Sequence, residues 1–336
     1  MRRLLLACAA SILVYAVAFA CILDRPLTLG TLRDRIDANV AAGAAVEGPK
    51  LVILAGSNGP YSHRCAVIGP ALGRPCINAG VAVGVGLDYL FLRWAPLLQA
   101  GDVVYLPLEE AQYARAKATA ALGPDAAIML RHDRASLWRM PVERELAALF
   151  SCDLRGAVMS VLETALVASG FQDPRALALG STNEWGDHVG HTLALAAGNR
   201  LALETEQPFH PTPAQIDGGH GTVEVRRFLR WAAARGVLVV GGLPTGFADS
   251  PISEAAIVAI RHVYESEGAA FVMLPNHSRY PRDAFFDTPD HLNEPAQIDH
   301  SRAIAQVLRP LAMAGWLGPP VHLATAAADP SRPVSR

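Results

Sequence analysis

Two short segments far apart in the chain hold residue types that together perform acyl-transfer chemistry. In the first, Leu51-Val52-Ile53-Leu54-Ala55-Gly56-Ser57-Asn58, an apolar run ends in a glycine turn carrying a serine. In the second, Asp287-Thr288-Pro289-Asp290-His291-Leu292-Asn293, a histidine stands among carboxylates. A serine hydroxyl is a weak nucleophile until a base takes its proton, and the base works best when a carboxylate fixes its tautomer. Ser57, His291 and an aspartate offer those roles. Asp287 is favoured over Asp290 as the orienter, because adjacent side chains of an extended segment point to opposite sides. His291 arrives with carboxylates, which makes it a better base candidate than His63, His188, His191, His220 or His300.

An acyl-transfer site also needs donors for a developing oxyanion. The backbone N–H groups of Ser57 and Gly80 are the first candidates, and the side chains of Asn58 and Asn183 are the next. Asn183 belongs to Asn183-Glu184-Trp185-Gly186-Asp187-His188, which reads either as a sugar-stacking loop or as a solvated loop anchored by Trp185; loops of the second kind are commoner.

These residues need a scaffold that brings both segments to one rim. Continuous apolar runs at Leu51–Ala55, Cys76–Ala79, Val103–Leu106, Val237–Val240 and Ala270–Leu274 alternate with helix-length segments. That alternation predicts an α/β fold of three layers, with five parallel strands and helices on both faces. In such sheets ligands bind beyond the carboxyl ends of the strands, where both segments would fall. Residues 109–221 are too long for a simple crossover and are expected as a helical insertion after the third strand, covering that rim. The chain then divides into 1–25, a membrane or signal segment; 26–49, an Ala-rich stalk; 50–316, the folded domain; and 317–336, a Pro- and Ala-rich tail expected to be disordered.

These blocks resemble the SGNH or GDSL hydrolases. Gly56-Ser57-Asn58 matches the family's serine block, Asn78-Ala79-Gly80 its glycine block, and Asp287 to Asn293 its Asp and His block. The stretch Gly101-Asp102-Val103-Val104-Tyr105-Leu106-Pro107-Leu108-Glu109 is similar to the membrane-anchored branch associated with exopolysaccharide acylation. The resemblance implies a flavodoxin-like domain and a serine esterase or O-acetyltransferase acting on an extracellular polysaccharide such as cellulose. It also implies a possible synthase partner and no cofactor. Where the family's third block offers an Asn, this chain has Glu109 and Glu110, and an ionised carboxylate donates no hydrogen bond. An inactive polysaccharide-binding scaffold is the alternative.

Composition narrows the partners. A net charge of −2 over 336 residues, with no dense basic block, gives no footprint for nucleic acid. Arg2 and Arg3 precede an uncharged run from Leu4 to Leu23. Such a run reaches about 30 Å as a helix, and the arginines before it predict a single-pass inner-membrane anchor with the remainder in the periplasm. Cleavage after Ala18-Phe19-Ala20 and lipidation at Cys21 are the other fates open to it. Cys65 and Cys76 are placed to pair or to serve as buried apolar groups, and no cysteine has metal-ligand spacing.

Overall fold

The computed structural model of the chain describes residues 1–22, 28–151, 154–171 and 181–313. Five strands form one parallel sheet: β1 (Leu51–Ile53), β2 (Cys76–Asn78), β3 (Val103–Leu106), β4 (Leu238–Gly242) and β6 (Ala270–Val272), in the order β2-β1-β3-β4-β6. Val52 registers with Ile77 on one side and Val104 on the other. This is the doubly wound order that changes direction beside the first strand, which opens a crevice at the carboxyl ends of β1 and β3. A two-residue pair, β5 (Gly246–Phe247) with β7 (Arg279–Tyr280), extends that rim.

The period of two along each strand divides the core. Val52, Leu54, Val104 and Leu106 face α5 (Leu87–Trp94), α6 (His220–Ala233) and α7 (Glu254–Glu265), where Phe91 stacks on Phe228 at 4.2 Å. Leu51, Ile53, Val103 and Tyr105 face α4 (Cys65–Leu72) and α8 (Glu294–Met313) through Ile68, Ile304 and Leu308. Cys65 and Cys76 are joined in a disulfide, which ties the start of α4 to the start of β2. At the amino ends of β1 and β3 the Lys50 ammonium meets Asp102 at 2.9 Å, both almost fully buried.

Two expectations need revision. The segment expected as a stalk over 26–49 is docked over its described residues 28–49: α2 (Thr28–Ala45) packs on the domain, with Ile36 2% exposed in the core and Leu32 and Val40 packed beside it. Apolar residues four apart make one stripe on a helix, and that stripe is what α2 buries. The run expected as an anchor is helical, α1 (Arg2–Ile22), and Leu4, Leu6, Ile12 and Val14 stand more than half exposed. Even so, no helix among the described residues is long and apolar enough to cross a membrane, so the expected transmembrane helix is not found. Leu23 to Arg25 and the tail 317–336 lie outside the described residues. The described part of the insertion 109–221 is mainly helical, with Glu110–Ala114, Pro124–His132 and the longer Leu154–Ala168 before a loop at 181–191 that returns to the rim, and Pro213–Gly218 after it.

Candidate active site

Ser57 caps α3 (Asn58–Ser62) at the carboxyl end of β1, half-exposed, with φ −69° and ψ −21°. Across the rim, His291 Nδ1 lies 2.6 Å from Asp287 Oδ1. That contact assigns the Nδ1–H tautomer and leaves Nε2 as the acceptor, and Nε2 has no hydrogen-bond partner among the described residues. The imidazole is held by stacking on Tyr61, with centroids 4.0 Å apart and planes 12° apart. Tyr61 is one turn beyond Ser57 in the same helix, its N–H bonded to the Ser57 carbonyl at 3.3 Å. A five-residue helix therefore offers the serine and also clamps the base. Asp290 does not touch His291. Its backbone carbonyl accepts from Ser62 Oγ at 2.7 Å and Thr245 Oγ1 at 3.0 Å, and burial, with Glu109 and Glu110 nearby, pushes its carboxyl well above the usual range.

Two of the expected oxyanion donors, Asn58 and Asn183, are engaged elsewhere. Asn58 is fully buried and donates through Nδ2 to the Pro107 carbonyl at 2.7 Å, so its amide is spent on structure. Asn183 donates to Asp187 at 3.1 Å and accepts from the N–H groups of Trp185 and Asp187. It folds its own loop and reaches no reacting atom. The Gly80 N–H makes a long 3.4 Å contact with Asn78 Oδ1, and a Cβ at Gly80 would collide with Pro60 and Gly59; only glycine permits that approach.

Glu109 is the residue that sequence reasoning set aside. Its carboxyl, 5% exposed, accepts from Ser57 Oγ at 3.3 Å and from the Asn58 N–H at 3.1 Å. A Cβ at Gly56 would strike that carboxyl, so the glycine before the serine makes room for it. The neighbouring Glu110 is neutralised by Arg279 at 2.9 Å and His210 at 2.6 Å, whereas Glu109 has no cation bonded to it among the described residues. Burial raises the Glu109 carboxyl above its ordinary range, opposed in part by the hydrogen bonds from Asn58 and Ser57.

The loop carrying Asn183 to His188 is docked rather than solvated. The Asp187 carboxylate accepts from the Cys65 and Ala66 N–H groups at 2.7 and 3.1 Å, satisfying the first turn of α4. His188 stacks on the Tyr61 face at 4.1 Å, and His191 meets the same ring edge-on. Below them Tyr280 Oη, His300, His63 and the Asn58 carbonyl form a chain at 2.9, 3.3 and 3.4 Å. Neutral rings, each with one donor and one acceptor nitrogen, satisfy such a chain.

That cluster dictates an acid-sensitive fold. Burial lowers His63 to about 4, His188 to about 3 and His191 to about 4, and takes His300 well below 6.5. As pH falls through about 6.5 the unfolded chain takes protons that the folded chain refuses, so stability declines from there toward pH 4. For His63 alone this is on the order of 3 kcal/mol. Wild-type melting temperature should therefore fall between pH 7 and 4.5, and His63→Gln should fall less steeply. Equal slopes by calorimetry would contradict the neutral assignment.

Among the described residues no group of three or more His, Cys, Asp or Glu side chains is placed to hold a metal ion. A cavity of about 810 Å³ between α5, α6 and the insertion, lined by Phe91, Phe228 and Trp231, shares no residue with this rim. No family model, curated protein or solved structure matches the chain.

Proposed function

We propose that this chain is an exported SGNH-like serine esterase or O-acyltransferase acting on an acylated extracellular polysaccharide. The observation that carries the reading is the Asp287–His291 pair, whose Nε2 is unpartnered on the rim that Ser57 occupies. His291 Nε2 takes the Ser57 proton as Oγ attacks the ester carbonyl, and Asp287 stabilises the imidazolium that forms. The tetrahedral intermediate collapses as His291 returns the proton to the leaving sugar oxygen. Water or a second sugar hydroxyl then takes the acyl group. The Cys65–Cys76 disulfide supports an oxidising, periplasm-like compartment. The test is acetyl-ester cleavage by the full chain in detergent beside Ser57→Ala, assayed with p-nitrophenyl acetate and with acetylated oligosaccharides.

A polysaccharide-binding scaffold is the second reading, favoured by the Ser57 hydroxyl donating to Glu109 rather than to His291. Saccharide binding that survives Ser57→Ala, with no ester cleavage by wild type, would favour the scaffold.

A further inference from the structure

Near this rim, Arg35 is a cation with no ion pair among the described residues. Arg35, on α2, makes one long hydrogen bond through Nη2 to Thr182 Oγ1 at 3.4 Å, and its Nε is buried without a partner. Arg93, Arg144 and Arg279 are ion-paired, with Asp133 at 3.1 Å, Asp88 at 2.9 Å and Glu110 at 2.9 Å, and the enclosed Arg74 and Arg115 donate to the Gly101 and Gly84 carbonyls at 3.0 and 2.8 Å. A half-buried guanidinium loses hydration and gains nothing unless an anion meets it. Thr182 is bridged antiparallel to His188, and Tyr61 is sandwiched between His188 at 4.1 Å and His291 at 4.0 Å. Arg35 is thus linked to the proposed base through Thr182 and the His188–Tyr61 stack.

We propose that Arg35 binds a carboxylate carried by the substrate, so that the cleft takes acidic, uronate-type saccharides in preference to neutral ones. This deepens the esterase reading and rests on it only for the position of the ester. A carboxylate fits better than a phosphate, because the site offers a single positive charge. His188 and His191 are kept neutral by burial, and Arg64 is occupied by Glu294 at 2.8 Å. One guanidinium matches one carboxylate through its planar fork. The Tyr61 hydroxyl and the neutral imidazoles supply the mixed donors and acceptors that sugar hydroxyls need.

Calorimetric titration of the full chain with trigalacturonate and with cellotriose tests the inference without any ester being present. Wild type should bind the uronate at least about tenfold tighter at low salt. Arg35→Met should erase that preference while leaving cellotriose binding unchanged, and Arg35→Lys should keep part of it. Arg35→Met should also melt no lower than wild type, since it removes an unpaired charge. Equal affinities in wild type, no binding of either saccharide, or a preference that survives Arg35→Met would overturn the inference. Displacement of trigalacturonate by equimolar inorganic phosphate would overturn the carboxylate assignment. A uronate preference in a protein that cleaves no ester would leave the inference standing and remove the esterase reading.

Discussion

Ser57→Ala and His291→Ala should each lower acetyl-ester cleavage by about a thousandfold or more, and the double variant should lose little beyond either single one. A nucleophile and its base act as one unit, so removing either removes the proton transfer that both serve. Asp287→Asn should cost less than His291→Ala, but still roughly a hundredfold or more. Its amide would face the Nδ1–H that the carboxylate now accepts at 2.6 Å and would turn the ring toward the wrong tautomer. Retention of wild-type melting temperature separates these losses from misfolding, because the core around β1 and β3 uses none of the three side chains. Steady-state rates with p-nitrophenyl acetate measure all four variants. A Ser57→Ala rate equal to wild type would remove the serine from the reaction.

Glu109→Gln should raise ester cleavage at alkaline pH by about tenfold and abolish the alkaline decline of the wild type. The Glu109 carboxyl touches the Ser57 hydroxyl and the Asn58 N–H, two donors that the attack on a carbonyl needs. Ionised, it holds them with charge-assisted hydrogen bonds, each worth about 1.5–3 kcal/mol. Freeing one such bond costs at least about a factor of ten in rate. Neutral, the same carboxyl holds them loosely and has an O–H of its own to offer a developing oxyanion. Burial favours the neutral form and moves its ionisation upward from the ordinary carboxylate range. As pH rises through that raised value the wild type should lose activity, whereas glutamine, which cannot ionise, should not. Rate profiles from pH 5.5 to 9 read this directly. A large loss in Glu109→Gln across the whole range would instead make Glu109 a base acting on Ser57.

The sheet was legible because its strands are short apolar runs, buried on both sides and separated by helix-length segments. The Leu51 and Val103 runs became β1 and β3 in parallel register, and the helix-length segments between the strands became α4 to α8. The Ser57 turn and the Asp287 to His291 segment were legible as candidates because that topology forces both to the carboxyl rim. Docking was not legible. Leu32, Ile36 and Val40 are spaced as a helix stripe, but the surrounding alanines blur the contrast between faces. Asp187 caps α4 across more than a hundred residues, a pairing that no local pattern encodes. Asn58 and Asn183 have the right chemistry for an oxyanion hole but are used to satisfy buried carbonyls and carboxylates, which outweighs exposure at a site. For Glu109 a signal existed: an acidic residue at the end of β3 faces the same rim as Gly56, whose missing side chain leaves space for it.

Trapping the acyl-enzyme tests the central claim most directly. The full chain is mixed with p-nitrophenyl acetate, quenched in acid within the first turnover and digested for mass spectrometry. A single acetyl group on Ser57, absent from His291→Ala and from Ser57→Ala, is the predicted result. Acetylation of another residue in wild type, or hydrolysis that proceeds at the wild-type rate with Ser57 never modified, would contradict the account.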